Sequence, residues 1–461
     1  MTHPRPGQAV LAALVLLLII GSVLPLASYR PWFWMPLSVA CALLFAISMA
    51  MDLRHASGSN RIFRQIAVPA LLFGLVVLWG WIQTLDGLPR FLWNPAFDRI
   101  DAPGRITLDR DLSRQFLLRL ISYGMIFLLV ARLARNEILA RVFLISAGLF
   151  GTFYIAAALA LYGAGINDIF GVARQSRLSA GATIESPNAF GHYAGMLALT
   201  ALCWILCMTG RNRRSDRIEA RDRKNRPEIL RIILLVGVIL AVPAVALTYS
   251  RAALGLMILG GLSIYGFLQL RHSIRNMLVP PMFLGLILAI PLATLMIAWS
   301  FDPSVDGENE HLLQARARLF STAIDVALNS PWQGTGLGTF TIAASPFKDA
   351  ALSRFRLEAA HNIYLEHLIE LGPVAALLLW TAMILIARRI FVGLVQCQHG
   401  MVYPLVGVTV LVMTGLHNTL DYTMHRPAVV LMFILLTATA WAQSWRHPEQ
   451  GSDRFGTLTV A

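Results

Sequence analysis

The sequence predicts an all-α, polytopic membrane protein. Three observations carry that class: 57% of the 461 residues are hydrophobic and only 14% are charged, apolar runs of spanning length recur along the chain, and the segments between them are short and polar with one exception. A hydrocarbon core of ~30 Å takes about 20 apolar residues of helix. Twelve runs meet that requirement, at roughly 8–28, 32–51, 66–84, 116–131, 142–162, 188–209, 231–248, 252–270, 279–299, 363–387, 400–417 and 427–444. The first is not read as a cleaved signal peptide, because it lacks a small-residue cleavage site and a second run follows at once. The run at 116–131 carries Arg119 in its first turns and is the weakest of the set.

Short basic loops orient the bundle. Between Gly210 and Ile232 lie Arg211, Arg213, Arg214, Arg217, Arg221, Arg223, Lys224, Arg226 and Arg231, which places that loop in the cytoplasm. Counting spans outward gives the same face to Arg132, Arg135, Arg388 and Arg389 and leaves both termini cytoplasmic. The opposite face is also basic, with Arg90, Arg110, Arg251, Arg316, Arg318, Arg354, Arg356 and Arg426 among its residues. The net charge of +13 is thus divided between two sides of a bilayer, which argues against nucleic-acid binding. The four cysteines, Cys41, Cys203, Cys207 and Cys397, fall in spans or near the inner face and have no zinc-ligand spacing.

The exception among the loops is the polar stretch 301–360, expected to fold over the periplasmic surface between two spans. Within it, HLLQARARLFSTAIDVALNSP has Leu313, Phe320, Ile324, Ala327 and Leu328 at helical spacing, which predicts an amphipathic helix lying on the membrane. Arg316 shares the apolar side with Leu313 and Phe320, the side expected to face inward, while Arg318 falls with the polar residues. Arg316 is the better ligand candidate, with a structural ion pair as the competing reading. The loop ends at AAHNIYLEHLIELG. His361 and Asn362 stand there at the mouth of the next helix, where a histidine near its ordinary pKa of about 6.5 is the usual proton acceptor and where backbone N–H groups favour an anion. Glu366, five residues on, is a candidate to orient the imidazole; the competing reading is a plain interfacial cap. In LTYSRAALGLM, Ser250 and Arg251 open an inward-going helix, and the arginine is placed to grip phosphate oxygens in a bidentate manner or simply to anchor in headgroups.

Other motifs carry less. His417, Asp421 and His425 in GLHNTLDYTMHRP read as a polar outer turn or a weak metal pair, and Asp109-Arg110-Asp111 is a short acidic string that holds a divalent cation only in a sugar-nucleotide setting. The glycines of PWQGTGLGTF follow no predicted strand and read as a flexible turn rather than a nucleotide cradle. No metal or cofactor is expected.

Taken in order, SRAALG, a loop helix with RxxxF before NSPWQGTGLGTF, and HNIYLEHLIELGP resemble the O-antigen ligase and Wzy-type polymerase family, as does SPNAFGHYAGM at 186–196 with Asn188 and His192. The similar region covers roughly 186–426. Phe320 departs from the tryptophan common there, which leaves the register between Arg316 and Arg318 open. The resemblance implies a GT-C-like bundle of about twelve helices with one large periplasmic loop, and a division into an N-terminal membrane region 1–185, a catalytic region 186–426 with the loop 300–362, and a last helix and tail 427–461. It implies Arg251, Arg316 and His361 as catalytic residues, with Asn362, Arg318, Asn188, His192 and Ser250 as substrate-binding neighbours. The expected donor is a glycan on undecaprenyl pyrophosphate, and the acceptor is the lipid A core, a growing polysaccharide or a protein hydroxyl, with the bilayer as the remaining partner. Two alternatives from other classes stay open: a flippase for lipid-linked glycans, which would line a central cavity with its arginines, and a non-catalytic assembly scaffold, which would tolerate loss of His361.

The predicted topology is open to direct test. With single cysteines in a cysteine-free background, Ser304→Cys should react with a membrane-impermeant thiol reagent in intact cells and Ser215→Cys should not. The reverse labelling would invert the whole scheme.

Overall fold

The computed structural model describes residues 3–53, 60–99, 104–166, 168–169, 172–173, 179–212, 226–274, 320–348, 359–396 and 400–445. They form eleven apolar helices: α1 (Pro6–Gly21), α2 (Pro31–Leu53), α3 (Asn60–Ile82), α4 (Arg110–Leu133), α5 (Glu137–Gly163), α6 (Pro187–Asn212), α7 (Arg226–Ala246), α8 (Arg251–Ile274), α9 (Ile363–Gln396), α10 (Val402–His417) and α11 (Pro427–Gln443). Eight of these, α2 to α9, are long and apolar enough to cross a membrane, and α1, α10 and α11 are shorter apolar helices. Each coincides with an apolar run read from the sequence; the run at 279–299 lies outside the described residues. The weak run is a full helix, α4, in which Arg119 stacks against Trp34 and Phe116 at 4.6 and 4.5 Å. Among the described residues, the strand content is one hairpin pairing Asp168–Ile169 with Val172–Ala173.

α11 is the centre of the bundle. It is apolar around its whole circumference, and all of its residues from Pro427 to Gln443 are buried, as expected for a helix with no polar face to give to solvent. It packs against α10, α4, α5, α9 and α1. Polar links divide the helix ends between two sides. On one, Arg132 donates to Ser48, Gln443 donates to the Ala134 carbonyl, and Arg389 donates to the Ser444 carbonyl, joining the ends of α2, α4, α9 and α11. On the other, the starts of α6 and α9 meet the α10–α11 turn, and the end of α3 meets α9.

That second side is organised by a break in α9. Pro373 has no N–H to offer the Ile369 carbonyl, and Gly372 turns to φ +77, so the helical ladder stops. Buried carbonyls left this way need other donors. Thr335 supplies its N–H (2.9 Å) and hydroxyl (3.1 Å) to Ile369 O, Gly336 N–H and Gln83 Nε2 both reach Glu370 O at 2.9 Å, and Trp79 Nε1 reaches Leu371 O at 3.0 Å. The Glu370 carboxylate accepts from Gly338 N–H at 2.8 Å and Phe340 N–H at 3.0 Å. The glycine segment is therefore a fixed clamp, not the flexible turn the sequence suggested. Its glycines are needed because Gly334, Gly336 and Gly338 take φ of +80, +99 and +78, and a Cβ on Gly336 would lie 2.0 Å from Thr107 Oγ1.

Gly336→Ala combines an unfavourable left-handed conformation, worth about 1–2 kcal/mol, with that collision. It should lower the thermal midpoint of the purified protein clearly below that of Gly163→Ala, whose new Cβ meets nothing within 4 Å. Equal midpoints would mean that the clamp does not hold α9.

Candidate active site

His361 sits at the start of α9 in a left-handed conformation, φ +52, an unfavourable choice for a residue with a Cβ. Its neighbours enforce it. Asn362 caps α9, its Oδ1 accepting from Tyr364 N–H (3.0 Å) and Leu365 N–H (3.2 Å), while its Nδ2 donates to Thr419 O. Ile363 N–H donates to Asn418 O. The helix mouth is thereby tied to the α10–α11 turn, and that turn delivers Asp421. The His361 Nδ1 lies 3.3 Å from Asp421 Oδ1, with the carboxylate buried and the imidazole 37% exposed. Burial alone would raise the Asp421 carboxyl. The hydrogen bond and charge of His361, with His417 and the Tyr422 N–H, outweigh burial and hold it down to about 2. An ionised carboxylate only accepts, so the hydrogen bond places a proton on Nδ1. Tyr422 packs edge-on against the ring at 4.7 Å.

The partner of the imidazole is thus Asp421, not Glu366. Glu366 is engaged elsewhere: Oε1 accepts from Ala360 N–H at 2.7 Å and Oε2 pairs with His425 Nε2 at 2.5 Å. Burial works against charge on His425, but the charge and hydrogen bond of Glu366 raise its pKa. The three turn residues read as a weak metal pair therefore face three different partners. Asp421 faces His361, His425 faces Glu366, and His417 stacks on His192 with ring centres 4.7 Å apart. Asp421 is the residue that sequence reasoning undervalued. Its spacing from His417 was visible, but its partner lies sixty positions away.

His192 is wholly buried, with Nδ1 2.8 Å from Thr423 Oγ1 and Nε2 3.0 Å from Thr414 Oγ1. It braces the turn from behind. One residue earlier, Gly191 lets the α7–α8 hairpin come close: a Cβ there would stand 2.8 Å from Ala253 Cβ and 3.3 Å from Thr248 Oγ1. The first turns of α6, with the half-buried Asn188 at their start, therefore link the hairpin on one flank to the His361–Asp421 pair on the other. In the hairpin, Tyr249 is left-handed at φ +57, Ser250 Oγ accepts from Ala253 N–H as a helix cap, and Arg251 is exposed at the first position of α8.

The long loop enters the site from a third direction. Residues 320–329 are helical, and Ala323 and Val326 pack with Phe340, Ala344, Ala360 and Ile369 beside the mouth of α9. The face on the protein is that of Ala323 and Val326. Phe320, Ile324 and Leu328, expected to face inward, are exposed and form the stripe that a bilayer surface would cover. Arg316 and Arg318 lie outside the described residues. Asp109 of the acidic string caps α4 by accepting from Leu112 N–H at 2.9 Å, and Arg110 is ion-paired with Asp86, so both serve the helix start.

Residues 236–381 match the family model for O-antigen ligase, a segment that runs from within α7 through the hairpin, the loop and the His361 mouth into α9. No curated protein matches the chain. The chain thus carries a segment similar to O-antigen ligases, set in a bundle of apolar helices of which eight are long enough to cross a membrane.

Proposed function

We propose that the protein transfers a glycan from undecaprenyl pyrophosphate to an acceptor hydroxyl at the periplasmic face of the inner membrane, with His361 as general base. The observation that carries the reading is the pairing of a partly exposed imidazole with a buried, ionised Asp421. In the reaction, the acceptor hydroxyl gives its proton to His361 Nε2 as its oxygen attacks the anomeric carbon, and Asp421 balances the charge gained by the ring. The bond from that carbon to the phosphate oxygen breaks, and undecaprenyl pyrophosphate leaves with the electron pair. Arg251, with Arg316 or Arg318 from the loop, binds the pyrophosphate and stabilises its developing charge, an electrostatic contribution that is often the largest in catalysis. Asn362 and Ser250 hold the two helix mouths in place, and Asn188 and His192 set the spacing between them. The acceptor is lipid A core in a ligase and a second repeat unit in a polymerase. Both termini lie in the cytoplasm on this reading.

Removing the base should cost about 10²–10⁴ in turnover. His361→Ala should lose transfer while the protein still inserts and still binds lipid-linked donor, and Asp421→Asn should lose turnover with little change in donor affinity. His361→Ala activity close to wild type would remove the base assignment. A carboxyl held down to about 2 stabilises the fold above the ordinary carboxylate pKa and loses that contribution only as the pH falls toward 2. Between pH 5 and 8 Asp421 therefore does not titrate, and the expected fall of turnover on acidification reports protonation of the base itself.

Arg251→Lys keeps the charge but loses the planar fork, and should retain partial activity where Arg251→Ala leaves almost none. Equal activity of the two variants in an in vitro transfer assay, at equal expression, would show that the fork is not used on phosphate.

A further inference from the structure

Away from Arg251 and His361, the bundle buries a second group of cations in its outer half. Arg426, the residue before α11, is 2% exposed, and its guanidinium carbon stands 3.6 Å from the centre of the Tyr29 ring. Neither Nη1 nor Nη2 has a hydrogen-bond partner among the described residues. Arg119, buried in α4 over Trp34 and Phe116, has an unpartnered Nε, and Tyr123 one turn later has an unpartnered hydroxyl. Arg119 interacts electrostatically with both Tyr123 and Tyr29 and also with His425, so these groups share one neighbourhood.

The chemistry of that neighbourhood is one-sided. Four buried polar atoms lack partners, three of them guanidinium nitrogens that only donate and the fourth a phenol able to donate. The Glu366 carboxylate that faces His425 is already taken by it and by Ala360. A buried guanidinium without a counter-charge is costly, and ionisable groups at membrane depth mark functional sites by default. The backbone beneath Tyr29 is also strained: Leu26, Ala27 and Ser28 take φ of +52, +54 and +55 in succession, a left-handed conformation that residues with a Cβ rarely adopt. Strain kept at a turn that presents one aromatic ring to one arginine points to use. Leu24 and Trp32 on either side of the turn are exposed, so the approach to the ring is from apolar surroundings.

We infer that Arg426, Arg119 and Tyr123, gathered around Tyr29, form a second anion site that takes a phosphoryl group carried by a lipid. Its fork of two free Nη groups matches two oxygens of one phosphate. It is built from elements other than the hairpin that carries Arg251. It concerns binding alone and stands apart from the transfer reaction proposed above.

The test is thermal unfolding of purified protein in detergent, in an Arg251→Ala background so that phosphate at the hairpin adds nothing. The probes are undecaprenyl monophosphate in mixed micelles and, separately, inorganic phosphate. Without lipid, Arg426→Met should melt at or above the parent, because it removes an uncompensated buried charge. With undecaprenyl monophosphate, the parent should gain several degrees and Arg426→Met should gain none. Arg119→Gln provides a second variant and should reduce the lipid-dependent gain. A large drop in midpoint for Arg426→Met without lipid, together with equal lipid shifts in both proteins, would make Arg426 a structural residue and overturn the site. An equal shift from inorganic phosphate with none from the lipid would overturn the lipid as its source.

Discussion

The outer architecture depends on one constraint: a membrane helix that stops at Gly372–Pro373 must find new donors for its last carbonyls. In water those groups would be solvated at little cost. In the interior of a bundle each unsatisfied carbonyl costs on the order of 1–3 kcal/mol, and three arise together. The chain answers with donors from two distant segments: Trp79 and Gln83 at the end of α3, and Thr335 and Gly336 after the loop helix. Because the same segment also holds Glu370 through two N–H groups, the loop, α3 and α9 become one body. The first two turns of α9, with His361 at their tip, are fixed by that body.

On this base the imidazole is placed by a ring of short contacts. Glu366 holds Ala360 from one side, Asn362 and Asn418 tie the helix mouth to the α10–α11 turn, and that turn presents Asp421. The turn is braced from behind by His192 and its two threonines. Five histidines lie within this outer layer, His367 accepting from Trp380 on α9, and the other four divide their work. His361 alone is substantially exposed; His192, His417 and His425 are packed into its support. Substitutions at the supporting three act on folding before they act on chemistry, so they are poor controls for damage at the surface.

Much of this was legible in the sequence. The apolar runs coincide with helices because periodicity and length are local properties. His361 was legible as well, since a polar loop meeting an apolar run marks its own boundary. Asp421 was not, because its partner is far along the chain and its i, i+4 spacing from His417 suggested a different pairing. Glu366 failed for a related reason: five residues from His361 it was near in sequence, but the left-handed turn at His361 sends the imidazole away from it. The glycines of 334–338 were read as slack because alternate glycines look the same in a loose turn and in a clamp; only the carbonyls of α9 tell them apart. Phe320, Ile324 and Leu328 were legible as the apolar side of a helix lying on the membrane, but the second face, where Ala323 and Val326 hold the protein, was not, because small residues leave little apolar signal.

The clamp also sets how this chain can change over evolutionary time. Gly334, Gly336 and Gly338 alternate, and the N–H groups of Thr335, Gly336 and Gly338 each meet an acceptor fixed on α9. Losing or gaining one residue inside this stretch would move every later N–H out of step with its acceptor and turn a left-handed position onto a residue that bears a Cβ. Length variation is thus confined to either side of it, where the loop can grow or shrink to suit a different glycan while the mouth of α9 keeps its geometry. The segment works as a ruler, and diversification of acceptor or sugar has to proceed around it.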